Sequence, residues 1–533
     1  MNMRVNVIGA GLAGLSATRT LVKNNMKVNL ISYQTSERAQ SVLAEGGINA
    51  AMDVSGESDS YEYHYKDTLK SGCDIANEQA VKNFAKASPD ILRELVAIGV
   101  PFNSKNGQIV QRYFGGQEKK RTAYAKSSTG KEIMTALIDS VRQYEVEGTV
   151  NRLSHHEFVS VKMDISCKGV YVRDTFTKKT EYYEGPVIFA TGGLSGLLPG
   201  VTTGSTMNTG NAAAELFSKG VVFSNLEMVQ YHPTTMSIVG KRLLVSEAAR
   251  GEGGRLYIKT KSGEIKYYME EKYPKLGNLM PRDVVARESY LVVHDDNNEP
   301  IVYLDMRHLS KEIWKNRLSD LREEIMHYKG TDPAKTPIQV EPGIHYFMGG
   351  IDVDVNHKSN IEGIYAAGEC CSQYHGANRL GGNSTMGALY GGRVAALSVV
   401  ADFGEKCKKQ EYAMKKTDSE IKDGERIPES IEHTPVITEN AKGIFMESMG
   451  IIREGDSIQK GINRLRELQQ DKRCNEMDIK RLRLMMAMLE SAFYRKESRG
   501  AHYRTDYPKR NDESYKGLVK SKCDKVGKIT ISI

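Results

Sequence analysis

Short apolar runs and a glycine-rich turn open the chain as a strand–turn–helix–strand unit. Val5–Ile8 reads as a first strand, GAGLAG follows at 9–14, an amphipathic helix extends to about Lys23, and Lys27–Ser32 reads as a second strand. Helical spacing of Val81, Phe84, Ile91, Leu92 and Leu95 predicts a helix over about 80–98, and a second spans about 131–143. Pro186–Ala190 reads as a strand running into Thr191-Gly192-Gly193, and Gly363–Ala367 as one running into Gly368-Glu369. Between them, about 226–344 is richer in Tyr, Lys and Glu, breaks the glycine rhythm and reads as an inserted domain. From about 405 the pattern turns helical. Ile458, Ile462, Leu465 and Leu468 share one face; Ile479, Leu482, Met485, Met486, Leu489 and Phe493 share another. The methionines there fit core packing better than a docking surface.

Composition narrows the class. At 533 residues the chain has room for three or four domains. With 40% apolar and 26% charged residues and a mean hydropathy of −0.46, it is globular, not disordered. No apolar stretch approaches the roughly 18–20 residues of a membrane span, and no secretory signal precedes the first strand, so a cytoplasmic protein is expected. Seven cysteines, odd in number and without a CxxC pair, argue against a disulfide scaffold, a metal site or an intrinsic iron–sulfur cluster. The net charge of +7 is concentrated at the end: residues 451–533 hold 20 Lys and Arg against 12 Asp and Glu. No aromatic-interleaved basic motif accompanies it, so nucleic acid is not a partner, and the excess reads as a solvated basic face.

The 49 glycines cluster where backbone must turn sharply or approach a ligand. GAGLAG fits G-x-G-x-x-G: Gly9 permits the tight turn beside Ala10, Gly11 admits a pyrophosphate, and Gly14 lets helix and strand pack closely. The free N–H groups of the helix start then face the phosphates. The acid that usually ends the second strand is absent; Ser32 stands there, a weaker partner for ribose hydroxyls.

Ten further segments decide the reading together: AEGGI at 44–48, FGGQ at 114–117, ATGG at 190–193, HPTT at 232–235, SEAARGEGG at 246–254, PRDVVAR at 281–287, HYFMGG at 345–350, AAGE at 366–369, HGANRLGGNS at 375–384 and ESRGAHYR at 497–504. In this order the chain resembles the flavoprotein subunit of succinate dehydrogenase and fumarate reductase, nearest the bacterial type, over about residues 3–512. The resemblance implies an α/β (α+β) fold. Its parts are a Rossmann-like FAD-binding domain over 1–225 and 345–404, a capping domain over 226–344, a helical domain over 405–505 and a tail over 506–533. It implies FAD contacts at Gly9, Ala10, Gly11, Gly14, Ser32, Ser41, Ala44, Gly46, Gly47, Thr191, Gly192, Glu369, Asn383 and Ser384. It places the substrate, fumarate or succinate, among His232, Ser246, His345, Arg379 and Phe114. Arg282 matches the residue that transfers the proton, with Glu247 and Arg250 as its relay.

The residue types fit that chemistry. A buried C4 dicarboxylate needs paired donors at both ends; an arginine fork and two histidines supply them. Arginine is a poor general acid, so a proton relay must restore it at once. The sequence also departs from the family. Where membrane-bound members carry a histidine that attaches FAD covalently, this chain has Gln40 in RAQSVLAEGG, so FAD is expected to be bound non-covalently. Loss of that bond lowers the flavin potential, and Glu45 resembles the fumarate reductase version of its position, so fumarate reduction is the favoured direction. The resemblance implies an iron–sulfur subunit and a membrane anchor as partners, with the chain peripheral on the inner face of the cell membrane through them. The short tail leaves the docking of a standard iron–sulfur subunit open. The rival readings are an L-aspartate oxidase, against which FGGQ argues, a soluble reductase of another enoate, and a non-catalytic assembly subunit.

Overall fold

The computed structural model describes residues 3–125, 128–409 and 432–533. Val5–Ile8 pairs in parallel with Val28–Ser32 on one side and Val187–Phe189 on the other. Ile364–Ala366 and Val150–Ser154 complete a five-stranded parallel sheet. Its inner strands are mostly apolar because both faces are covered, and the buried Asn6 and Asn29 satisfy each other at 2.9 Å. Val5, Val7, Leu30 and Ile188 face helices Leu12–Lys23, Glu78–Ala97, Thr129–Val146 and Asn383–Lys409. Ile8, Ile31, Val187 and Phe189 face the other layer, where an antiparallel sheet of His156–Met163, Cys167–Asp174 and Thr180–Glu184 packs with helix Asn211–Ser218. The helix predicted over 80–98 runs Glu78–Ala97, started by Asn77, whose side chain accepts from Ala80 N. Helix Asn383–Lys409 continues five residues past the boundary expected at 404. Residues 410–431, assigned by sequence to the helical domain, lie outside the described residues.

Two long strands, Val229–Ile238 and Ile338–Phe347, pair antiparallel and carry the chain out of this layer and back. They are the centre of a six-stranded sheet that helices Arg282–Val293 and Ser319–Lys329 cover, with its own core around Leu256, Leu304, Trp314 and Ile325. This is the inserted unit.

Helices Pro435–Ser448, Gly455–Leu468 and Glu476–Tyr494 form the C-terminal bundle. The last begins with a reciprocal cap between Asn475 and Asp478. Met477, Met485, Met486 and Met488 are buried in it, as core packing requires. The final residues are no loose tail: hairpin Lys520–Cys523 and Ile529–Ser532 extends a sheet through Phe223–Ser224.

Most of the basic C-terminal excess is a solvated face, as read, with 13 of the 20 Lys and Arg of 451–533 exposed, but five arginines depart from it. Arg453, Arg481, Arg495, Arg499 and Arg504 are all at most 4% exposed. Arg495 bonds Glu227 at 2.7 Å and Glu497 at 2.7 Å, and Arg499 bonds Glu497 and Asp512. Arg453 and Arg481 donate to the carbonyls of Glu227 and Gly196. These arginines staple the bundle onto the rest of the chain, and a formal charge count cannot distinguish that from a wet surface. Among the described residues no helix is long and apolar enough to cross a membrane.

Candidate functional site

One long cavity runs from the C-terminal ends of the parallel strands to the base of the inserted sheet. At its first end, Gly9 adopts φ +109°, and a Cβ there would overlap the carbonyl of Ala190. A Cβ on Gly14 would overlap the Gly9 carbonyl, so Gly14 serves helix–strand packing and does not line the cavity. Ala10 and Gly11 line it, and Ser41 closes beside them, accepting from Leu12 N at 3.3 Å. Ser32 lines the same end, but its hydroxyl donates to the Gln34 carbonyl at 2.6 Å.

In the middle, Ala44, Gly46 and Gly47 form one wall and Thr191 and Gly192 the other. Gly47 needs φ +122°, and a Cβ on Gly46 would lie 3.0 Å from the Phe114 ring. Glu369 accepts from Phe347 N at 3.0 Å, and burial holds its carboxyl up at about 7. Ser384 accepts from Arg379 Nη1 at 2.9 Å. Asn383 does not reach the cavity, which corrects its reading as a cofactor contact. Its amide is fully buried and used up: Oδ1 takes Asn49 Nδ2 at 2.7 Å and His64 Nε2 at 2.9 Å, and Nδ2 donates to Thr68.

At the other end, four buried side chains and the half-buried His345 converge. Arg282, first residue of its helix, donates Nε and Nη2 to Glu247 Oε2 at 2.8 and 2.6 Å. Glu247 Oε1 accepts from Gly115 N at 3.0 Å, and Ser246 caps the short helix that carries it. Burial pushes the Glu247 carboxyl up, but Arg282 and Arg250 outweigh it and the net shift is downward. Arg250 stands behind Glu247, outside the cavity, 4.0 Å from Oε1 and bonded to the Asn278 carbonyl. Arg379 lies over the Tyr346 ring at 4.3 Å, and burial, reinforced by Arg282, lowers its pKa to about 9. His232 and His345, 5.2 Å apart between ring centres, come from the two long strands. Burial and the neighbouring arginines hold both imidazoles neutral, well below their usual pKa. His345 Nδ1 pairs with Thr203 Oγ1 at 2.7 Å. Phe114 and Ser246 complete the walls.

Sequence reasoning missed Gln230, whose Oε1 accepts from Arg282 Nη1 at 3.3 Å and Arg379 Nη2 at 3.2 Å. The signal was its place two residues before His232 on one strand. Three buried guanidinium groups stand around the Glu247 carboxylate, while burial raises the pKa of the cavity carboxyls Glu45, Glu324 and Glu369. Among the described residues His232 Nε2 and Arg379 Nε, and Arg250 Nε behind the cavity, have no hydrogen-bond partner. Buried donors are almost always satisfied, so this end is built to receive an anion. Gln40 also lines the cavity, its Oε1 accepting from Ser205 N at 2.6 Å.

A family profile described as an FAD binding domain matches residues 4–385, and one described as a fumarate reductase flavoprotein C-terminal region matches 439–532. The chain is 37% identical to the succinate dehydrogenase flavoprotein subunit of Bacillus subtilis, with 96% of this chain and 92% of that one aligned. It is 32% identical to the flavoprotein subunit of the 8-methylmenaquinol:fumarate reductase of Wolinella succinogenes, over 96% of this chain and 87% of that one. The structure matches the quinol fumarate reductase of E. coli with a TM-score of 0.85 at 28% identity, covering 100% of this chain and 96% of that one.

Proposed function

The chain belongs to the flavoprotein-subunit family of succinate dehydrogenases and fumarate reductases, and from that premise we propose that it holds FAD without a covalent bond and works chiefly as a fumarate reductase. It is an FAD-binding oxidoreductase of the fumarate–succinate pair. The cavity fits the cofactor: glycines whose Cβ atoms would fill the cradle at Gly9 and Gly47, and a helix start beside Ala10 and Gly11 for the phosphates. Gly9, Ala10, Gly11, Ser41, Ala44, Gly46, Gly47, Thr191, Gly192, Glu369 and Ser384 would hold it. When bound, FAD supplies the hydride chemistry at N5.

The chain's own residues do the rest. Arg379 and His345 receive one carboxylate, and His232 with Ser246 the other, so the double bond lies across the base of the inserted sheet. Neutral His345 donates through Nε2 in the tautomer whose Nδ1 accepts from Thr203 Oγ1, and His232 in the tautomer whose Nδ1 accepts from Thr234 N, so neither adds charge. Arg282 gives a proton to the carbon next to the one that takes hydride. Glu247, bonded to both Nε and Nη2 of Arg282, returns the proton, with Arg250 behind it. The observation that carries this reading is the set of buried, unpartnered N–H and imidazole nitrogens around a net positive site.

Gln40 supports non-covalent FAD, because its amide has no nucleophilic nitrogen. Acid precipitation should release yellow flavin into the supernatant; a pellet that stays yellow overturns this. Relatives in the family are subunits of larger enzymes, so an iron–sulfur subunit and a membrane anchor are the proposed partners, and the chain sits peripherally on the inner face of the membrane through them. Pure protein should turn over fumarate with reduced viologen at least tenfold faster than it oxidises succinate with an artificial acceptor. Anaerobic bleaching of the flavin by aspartate and not by succinate would favour the oxidase instead.

A further inference from the structure

The cavity carries an acid at a place where the glycine-rich motif does not put one. The second strand ends in Ser32, whose proton is already given to the Gln34 carbonyl at 2.6 Å. Strand Val150–Ser154 pairs in parallel with the second strand, with Ser154 opposite Ser32. The chain leaving that strand therefore passes beside the end where a βαβ unit meets the adenosine half of a dinucleotide. Three residues on, the half-buried Glu157 lines the cavity between His156 and Phe158.

Asn211, 4% exposed and first in its helix, donates Nδ2 to Glu157 Oε1 at 3.2 Å. Glu157 Oε2 takes no hydrogen bond from any described residue. Burial pushes this carboxyl up to about 7, against Arg173 and Lys178 and with Glu432. Its position on the cavity wall and its amide support leave Oε2 available to a donor from a ligand. The phosphates go to the helix start at Gly11, where their charge is welcome, and they would be repelled here. What the rest of that half offers is the ribose diol and the adenine amino group.

We propose that Glu157, oriented by Asn211, is the residue that grips the adenosine half of FAD in this chain, in place of the missing acid at Ser32. This rests on the FAD reading above. With no covalent bond at Gln40, that grip is a main determinant of whether the flavin stays.

The test strips flavin from the full chain and titrates FAD back, following flavin fluorescence, for wild type, Glu157→Gln, Glu157→Asp and Ser32→Ala. Adenosine diphosphate, its 2′-deoxy and 3′-deoxy forms, and inosine diphosphate serve as competing probes. At about pH 8.5, where the Glu157 carboxyl is ionised, Glu157→Gln should weaken FAD by about tenfold or more, since a charged acceptor becomes neutral. Glu157→Asp should recover part of the loss, and Ser32→Ala should change it less than threefold. The penalty that wild type shows for a deoxyribose or for inosine should shrink in Glu157→Gln; a ribose penalty assigns the diol, an inosine penalty the amino group. FAD binding within twofold of wild type, or analogue penalties undiminished in the variant, overturns the proposal while leaving the FAD reading intact. Wild-type protein that takes up no FAD overturns both.

Discussion

Glu247→Gln is the most direct probe of the proton route. The carboxylate accepts two bonds from Arg282 through Oε2, at 2.8 and 2.6 Å, and one from Gly115 N through Oε1. An amide keeps the shape but has one acceptor oxygen. If that oxygen faces Arg282, the amide nitrogen opposes Gly115 N; if it faces Gly115, two donors confront each other at Arg282. A charged hydrogen bond exceeds a neutral one by roughly 1–1.5 kcal/mol, so weakening both Arg282 bonds removes about 2–3 kcal/mol of its positioning. At 1.36 kcal/mol per decade that is about 30- to 150-fold in rate. The amide also cannot return a proton, so the loss in fumarate turnover should exceed this range. FAD content should not change, because Glu247 lies at the substrate end of the cavity. Single-turnover mixing of the viologen-reduced variant with fumarate, with flavin quantified by absorbance, reads both. Turnover within fivefold of wild type at full flavin content would refute the assignment of Glu247 as the relay.

Arg495→Met leaves Glu227 and Glu497 buried without their shared cation, and breaking such a pair costs about 3–5 kcal/mol; calorimetry should show the melting temperature fall by several degrees, and a fall under one degree refutes the staple. Gly47→Ala must place a Cβ at φ +122° against Thr122 Cγ2 at 2.7 Å, so FAD affinity should fall at least tenfold in a fluorescence titration. Glu369 is held at about 7 where an unfolded glutamate titrates near 4.5, so the folded chain keeps a proton that the unfolded chain loses. Flavin-free protein should therefore lose up to about 3 kcal/mol as pH rises from below 4.5 to above 7, and Glu369→Gln should flatten that profile in thermal melts.

The opening βαβ unit was legible because its signals are local: an apolar run, a glycine turn and helical spacing within about thirty residues. The rest of its sheet was not, since Val187–Phe189 and Ile364–Ala366 arrive from far along the chain and nothing local states their pairing. Residues that line the cavity were legible where their motifs are long, as at Arg282, His345 and Arg379. Gln230 escaped because an uncharged amide announces no chemistry until both arginines are seen to share its oxygen. Asn383 was misplaced because a motif gives neighbourhood, not side-chain direction. The buried arginines of the C-terminal bundle could not be told from the solvated charges around them because Arg495 meets Glu227 across 268 positions of sequence.

The distribution of the site over the fold explains its demand for an anion. Arg282 starts a helix of the inserted unit, whereas Arg379 belongs to the loop before Asn383 on the parallel-sheet side. Asp283, next to Arg282, accepts from Asn378, next to Arg379, at 3.0 Å, so the two cations are drawn together by their neighbours. Arg282 in turn lowers the pKa of Arg379, the mark of like charges held close in a buried place. Gln230 offers both a neutral oxygen, which relieves the repulsion without cancelling it. Glu247 cancels one charge of three, and burial pushes the cavity carboxyls Glu45, Glu324 and Glu369 toward their neutral forms. A dicarboxylate brings two negative charges, so it neutralises the rest, and a monocarboxylate leaves one buried cation uncompensated. Selectivity for doubly charged acids thus follows from the charge arithmetic of Arg250, Arg282, Arg379 and Glu247. Crotonate, a trans enoate with a methyl in place of one carboxylate, should accordingly be a far poorer substrate than fumarate, and comparable kcat/KM values for the two acids would show that the charge balance does not set specificity.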